Sequence, residues 1–206
     1  MNSPCDLNGL IHISGEPASG KTLFAIGYAS EMSREGDVLW VNTNGKMSFL
    51  TPLKRTISQR NGNAKSVRIL TSLGHEMIRQ TISNIPSFLT EDTILVVIDS
   101  ITRVLNMGLR SEPMWGRVLF EEILPALTAI SMTHNTSILC ISECRDVGGS
   151  KRAVYQEAMN RFANQEIRIT RTRKSGISIA EIESKPLATI SLEKEGSVAL
   201  ALGGAN

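Results

Sequence analysis

An excess of charge of either sign is nearly missing from this chain. Its 206 residues carry 22 Lys and Arg against 20 Asp and Glu, a net charge of +2. That balance excludes a broadly basic nucleic-acid coat and leaves room only for a local basic patch. Cysteine is scarce too. Cys5, Cys140 and Cys144 form an odd set with no paired framework, as expected in a reducing compartment. Cys140 and Cys144 have no companion Cys or His pair, so they read as ordinary thiols rather than zinc ligands. No stretch approaches the roughly 20 apolar residues that span a bilayer. The opening "MNSPCDLNGLIHI" has no basic region leading into an apolar run, so no secretory signal is visible. The expectation is a cytoplasmic protein with no membrane partner. Linkers, repeats and low-complexity tracts are also missing, which predicts a single domain over residues 1–206. The hydrophobic fraction of 41% is ordinary for a chain that buries a sizeable core.

What is present is an alternation of short apolar runs with longer helical patterns. "GLIHIS" (9–14) reads as a strand entering a glycine loop, and "KTLFAIGYASEMSRE" (21–35) as a helix stopped by Gly36. "VLWVN" (38–42), "SVRIL" (66–70) and "TSILCISE" (136–143) are further strands, with helical stretches at 51–60 and 74–85. "TILVVID" (93–99) is uniformly apolar, as expected of a strand buried on both faces of a parallel sheet. Residues 114–134 form a long helical pattern with Pro125 as the expected kink. The pattern then changes. Strands at 166–173, 176–183, 187–193 and 197–202 are separated only by turns, and "KSG" and "EKEG" are hairpin signals. An α/β half therefore precedes a C-terminal antiparallel extension.

"GEPASGKT" (15–22) matches G-x-x-x-x-G-K-[ST], and it lies between an apolar strand and a helix, where a phosphate loop belongs. Glycines let backbone N–H groups turn inward around phosphate oxygens, and the helix N-terminus adds its dipole. Gly15, Glu16, Pro17, Ala18, Ser19, Gly20, Lys21, Thr22 and Leu23 are the expected ATP-binding residues. Lys21 would reach the β- and γ-phosphates, and the Thr22 hydroxyl would hold Mg²⁺. Asp99 ends a buried strand, where a lone carboxylate is costly without a counter-charge. It is the expected second Mg²⁺ residue; the plainer reading is a helix cap at Ser100.

The order of these parts resembles the RecA/RadA recombinase family, and most closely its small archaeal RadB-like paralogues. "GEPASGKT" looks like the family's first nucleotide motif and "VVIDSITRVL" is similar to its second. "SILCISE" stands where the family has a strand ending in a γ-phosphate sensor, and "RFANQEIRITRTRKSG" looks like its closing strand. The resemblance spans almost the whole chain. It implies an α/β RecA-like P-loop NTPase core, a mainly parallel sheet with helices on both faces and a C-terminal antiparallel extension. It also implies ATP and Mg²⁺ as cofactors, single-stranded DNA and a recombinase or paralogue as partners, and a role in DNA repair and recombination.

Three departures shape the expected activity. The family usually reads D-T-E-G after the second strand, its Glu positioning the attacking water; here "NTNG" puts Asn44 at that place. An amide can hydrogen-bond water but cannot take its proton, so hydrolysis is expected to be slow or absent. The sensor position, usually Gln, is Glu143. Glu143 could be a relocated base, a repulsive charge near the phosphate, or a partner of Arg145. Only nine residues, "MNSPCDLNG", precede the first strand. Filament formation is therefore not expected, nor is a separate N-terminal DNA-binding domain, and an accessory role fits better.

The resemblance also implies two DNA-contacting segments, 106–117 and 144–154. Arg145, Lys151 and Arg152 in the second are the expected phosphate contacts, and paired glycines predict a mobile loop there. A solvated turn explains the same residues. Trp115 could stack on a base or open a helix's core face. Arg168, Arg171, Arg173 and Lys174 form the densest basic cluster, which Glu181 and Glu183 could neutralise across a hairpin. His12, His75 and His134 read as structural. A reading from another class is a KaiC-like signalling ATPase with no DNA role, which would use the same loop and Asp99.

Overall fold

The structure is a computed structural model, and it describes residues 7–102, 119–147, 150–153 and 155–202. The alternation of apolar runs and helices produces strands β1 (Leu10–Gly15), β2 (Asp37–Asn42), β3 (Val67–Thr71), β4 (Thr93–Asp99) and β5 (Ser137–Ile141). Between them lie helices α1 (Lys21–Met32), α2 (Leu50–Gln59), α3 (His75–Ser83), the short α4 (Ile85–Phe88) and α5 (Leu124–His134). After β5 come the hairpin strands β6 (Cys144–Val147) and β7 (Ser150–Ala153) and the helix α6 (Gln156–Phe162). The chain closes with β8 (Gln165–Arg171), β9 (Ile177–Ile182), β10 (Lys185–Leu192) and β11 (Val198–Leu202).

Among the described residues, nine strands join in one sheet in the order β11-β10-β9-β8-β1-β5-β4-β2-β3. From β8 to β3 the pairing is parallel; from β8 outward to β11 it is antiparallel. The hairpin glycines meet their expectation: Gly176 (φ 76) and Gly196 (φ 80) hold the left-handed backbone that tight turns need.

Helices cover the central strands on both sides, which is why those strands read as continuous apolar runs. On one face α1 and α2 pack Phe24, Tyr28, Leu53 and Ile57 against Ile11, Ile13, Val97 and Ile167. On the other, α3, α5 and α6 pack Ile78, Ile82, Leu127 and Met159 against Leu10, Val96, Ile98 and Ile138. Each such side chain contributes about 1.5–3 kcal/mol by leaving water. β1 alternates between the two cores, so its two faces are fixed before any polar residue is placed.

Two expectations are corrected. Pro125 stands in the first turn of α5, behind a π-helical turn at Leu119–Ile123, so it opens the α-helix rather than kinking one. Within segment 144–154, Cys144–Val147 and Ser150–Ala153 pair as two short antiparallel strands, Cys144 opposite Ala153 and Arg145 opposite Arg152, where a loop is expected; the paired glycines between them lie outside the described residues. No helix among the described residues is long and apolar enough to cross a membrane.

Candidate functional site

Gly15 ends β1 at a place where no side chain fits. A Cβ there would lie 2.4 Å from the Ile169 carbonyl oxygen of neighbouring β8 and 2.6 Å from Ser19 Oγ. Glu16, Pro17 and Ala18 then form an exposed turn, closed by the Ser19 N–H donating to the Glu16 carbonyl at 3.0 Å. Gly20 (φ 99) turns the chain into α1, whose first residue is Lys21. No side chain caps that helix. Lys21 folds back over the loop, its ammonium donating to the carbonyls of Gly15 and Glu16, each at 2.8 Å. Leu23 packs against the core and anchors the first turn.

Thr22, one residue on, donates its hydroxyl to Asp99 Oδ2 at 2.9 Å. β4 delivers that carboxylate from two strands away, with β5 lying between β4 and β1. Asp99 is only 4% exposed. Burial pushes its pKa up, against the pull of the Thr22 hydrogen bond and of Lys21, and with a further push from Glu143. Burial also lowers the Lys21 pKa, although Cys144, Glu143 and Asp99 favour its charged form. Both groups thus carry charge less readily than they would in water. The hydroxyls of Ser19 and Ser100 are buried here without a hydrogen-bond partner. A hard cation with polyphosphate fits this donor set: the Thr22 hydroxyl and the Asp99 carboxylate for the cation, the Lys21 ammonium for phosphate.

Glu143 follows β5 and therefore sits between the phosphate loop and Asp99. The Ser142 N–H donates to the Ile13 carbonyl at 2.9 Å, and the Glu143 N–H to Thr102 Oγ1 at 2.9 Å. Its carboxylate acts on both Lys21 and Asp99. The "NTNG" turn is held differently. Thr43 donates from its N–H to the Asp99 carbonyl at 2.9 Å and from its hydroxyl to the Ser100 carbonyl at 2.7 Å. Asn44 accepts the Lys46 N–H on its side-chain oxygen at 2.8 Å, while its own N–H donates to Asn42 Oδ1. The Asn44 carbonyl oxygen is thereby engaged in shaping the turn.

The structure brings Lys21, Thr22, Asp99 and Glu143 to the same end of the sheet. Arg171 was hidden in the basic cluster. It lies on the same face of β8 as Ile167 and Ile169, but exposed beyond the core, and reaches the loop tip, donating from Nε to the Ala18 carbonyl at 3.1 Å and from Nη2 to that of Pro17. No signal in the sequence separates it from Arg173, which has the same strand parity. Among the DNA-contact candidates, Arg152 is exposed on β7, and the register sets Arg145 opposite Arg152 and Asp146 opposite Lys151. Trp115 and the rest of segment 106–117 lie outside the described residues. The register sets Arg168 opposite Glu181 across β8 and β9.

Behind the loop lies a buried polar chain. His12 is fully buried, with Nε2 bonded to Ser142 Oγ and Nδ1 3.9 Å from Glu166. Glu166 also accepts from Ser14 at 2.9 Å and Gln156 at 3.3 Å. Burial pushes the His12 pKa from 6.5 down to about 4, though Glu166 opposes this, so at neutral pH the contact is not an ion pair. The folded state then binds fewer protons than the unfolded state between those values. Stability is full above pH 6.5 and is lost as pH falls toward 4, by about 3 kcal/mol from this group. Urea melts across pH 4–7 should show that slope, and His12→Gln should flatten it. An unchanged slope in the variant would assign the acid limb to other groups.

No protein-family model matches the chain, and no curated protein matches it. Among solved structures, a crystal structure of the RadB recombinase matches with a TM-score of 0.71 at 20% sequence identity. The match covers 92% of this chain and 89% of that one. Identity that low speaks for the fold alone: this chain has the α/β RecA-like architecture seen in RadB recombinase.

Proposed function

We propose that this chain is a RecA-type, RadB-like ATP-binding protein of DNA repair and homologous recombination, accessory to a recombinase. It binds Mg-ATP and single-stranded DNA, and it hydrolyses ATP slowly or not at all. The observation that carries the reading is the Thr22–Asp99 hydrogen bond beside Lys21, with Glu143 following β5, the strand between β1, which leads into the loop, and β4, which ends at Asp99. Bound Mg-ATP would supply the divalent and polyphosphate charge that answers buried Asp99 and Lys21. The loop amides from Gly15 to Leu23 and the Lys21 ammonium would hold phosphate oxygens, and Thr22 and Asp99 the metal. Asn44 has no proton-accepting carboxylate, which supports slow turnover.

The DNA half rests on the hairpin that starts one residue after Glu143. Arg145, Lys151 and Arg152 would give salt-sensitive, sequence-tolerant phosphate contacts there. Nucleotide contacts at Glu143 would bias that hairpin, so the bound nucleotide acts as a switch. A calorimetric ATP titration and filter binding of single-stranded DNA across a salt series test both halves. Wild type should bind Mg-ATP and Lys21→Ala should not. DNA binding should strengthen with ATP and weaken as salt rises. ATP binding with no DNA binding under any condition would remove the DNA half and favour the KaiC-like signalling reading.

A further inference from the structure

Arg171, exposed at the end of β8, touches the tip of the phosphate loop. Its guanidinium donates to two consecutive carbonyls at the loop tip, those of Pro17 and Ala18. A trans peptide unit is planar, with its C=O and N–H pointing in opposite directions. Holding the Pro17 carbonyl outward therefore turns the Ala18 N–H inward. Holding the Ala18 carbonyl outward does the same for the Ser19 N–H. Without ligand the Ser19 N–H donates to the Glu16 carbonyl across the turn at 3.0 Å, a bond that phosphate oxygens would replace. Ala18 itself lies in the left-handed region at φ 56, a conformation that alanine keeps only where its surroundings hold it.

The grip is built into the sheet. Gly15 pairs with Ile169, so two residues further along β8 brings Arg171 level with the loop tip. A lysine there would keep the charge but not the geometry. Its ammonium is a single point on a flexible stem, whereas a guanidinium presents two donors at a fixed spacing to two neighbouring acceptors.

We propose that Arg171 is a positioning residue for phosphate binding, its fork turning the Ala18 and Ser19 amides toward the nucleotide's phosphates. This rests on the nucleotide reading above. The test compares wild type, Arg171→Lys and Arg171→Ala by calorimetry with ATP, ADP and inorganic pyrophosphate. Amide hydrogen exchange at Ala18 and Ser19 is followed in the same proteins without ligand. Both variants should lose roughly ten- to a hundredfold in affinity for all three ligands, and lysine should not rescue. Exchange at both amides should rise in both variants, while melting temperatures stay near wild type. Wild-type affinity in Arg171→Lys would reduce the role to charge and overturn the proposal, as would unchanged exchange in Arg171→Ala. If wild type binds no nucleotide, the nucleotide reading falls and takes this role with it. If wild type binds and the variants bind equally well, only the assignment to Arg171 falls.

Discussion

Asp99→Asn is expected to weaken Mg-ATP binding at least roughly a hundredfold and yet to raise the melting temperature of the ligand-free protein. The first effect follows from losing the one carboxylate that Thr22 engages at the end of β4. The second follows from the direction of the Asp99 pKa. Burial raises it above the ordinary carboxylate value, so folding favours the neutral form. A group shifted that way adds stability at acid pH, where it is protonated in both states. That stability is lost as pH rises through the folded-state value. The carboxyl therefore adds less to stability at neutral pH than at acid pH. Asparagine keeps the shape and an acceptor for the Thr22 hydroxyl but carries no charge. A gain of about 1 kcal/mol would raise the melting temperature of a chain this size by about 2–4 °C. Thermal melts at pH 7 with and without Mg-ATP decide the matter. Wild type should be the less stable protein without ligand and the more stable one with it. A variant that melts lower in both conditions would make Asp99 a structural cap, the plainer reading of its sequence position.

That reversal explains which parts of the molecule could be read from residues alone. Strands such as Ile94–Ile98 are apolar throughout because both faces are covered, and coverage leaves a mark in composition. The phosphate loop is legible for a related reason. A Cβ at Gly15 would strike the Ile169 carbonyl and Gly20 holds a left-handed φ of 99, so residue type records geometry directly. The hairpin at 144–153 lacks such a record. Its strands are four residues each and mostly polar, and the paired glycines fit a mobile loop as readily as a tight turn. Arg171 was illegible because its role depends on registry. Nothing in "RITRTRKSG" distinguishes Arg171 from Arg173 until β8 is paired against β1. Asn44 was legible as a residue that cannot take a proton, but not as one that accepts the Lys46 N–H.

Glu143→Gln is expected to lower whatever ATP turnover the protein has by about 10²–10⁴, the range a positioned base contributes. Position argues for it. The residue leaves β5 between the loop strand and the Asp99 strand, so it is carried to the same edge of the sheet as Lys21 and Thr22. Its main-chain N–H is tied to Thr102, a fully buried side chain, which fixes where the carboxylate begins. Its charge is felt at both Lys21 and Asp99, so the group stands near the place where phosphate charge would gather. The same nearness allows the opposite sign. A carboxylate facing a phosphate repels it, and removing that charge would then tighten ATP binding and leave turnover unchanged or faster. The two roles separate in one experiment: single-turnover rates and ATP affinity measured together for wild type and Glu143→Gln. A slower rate at unchanged or tighter affinity assigns the base to Glu143. An equal or faster rate assigns it repulsion, and the protein is then a nucleotide-gated binder whose second strand ends in an amide. Asn44→Glu supplies the complement. Adding a carboxylate after β2 should raise turnover only if the turn can release that side chain from its bond to the Lys46 N–H.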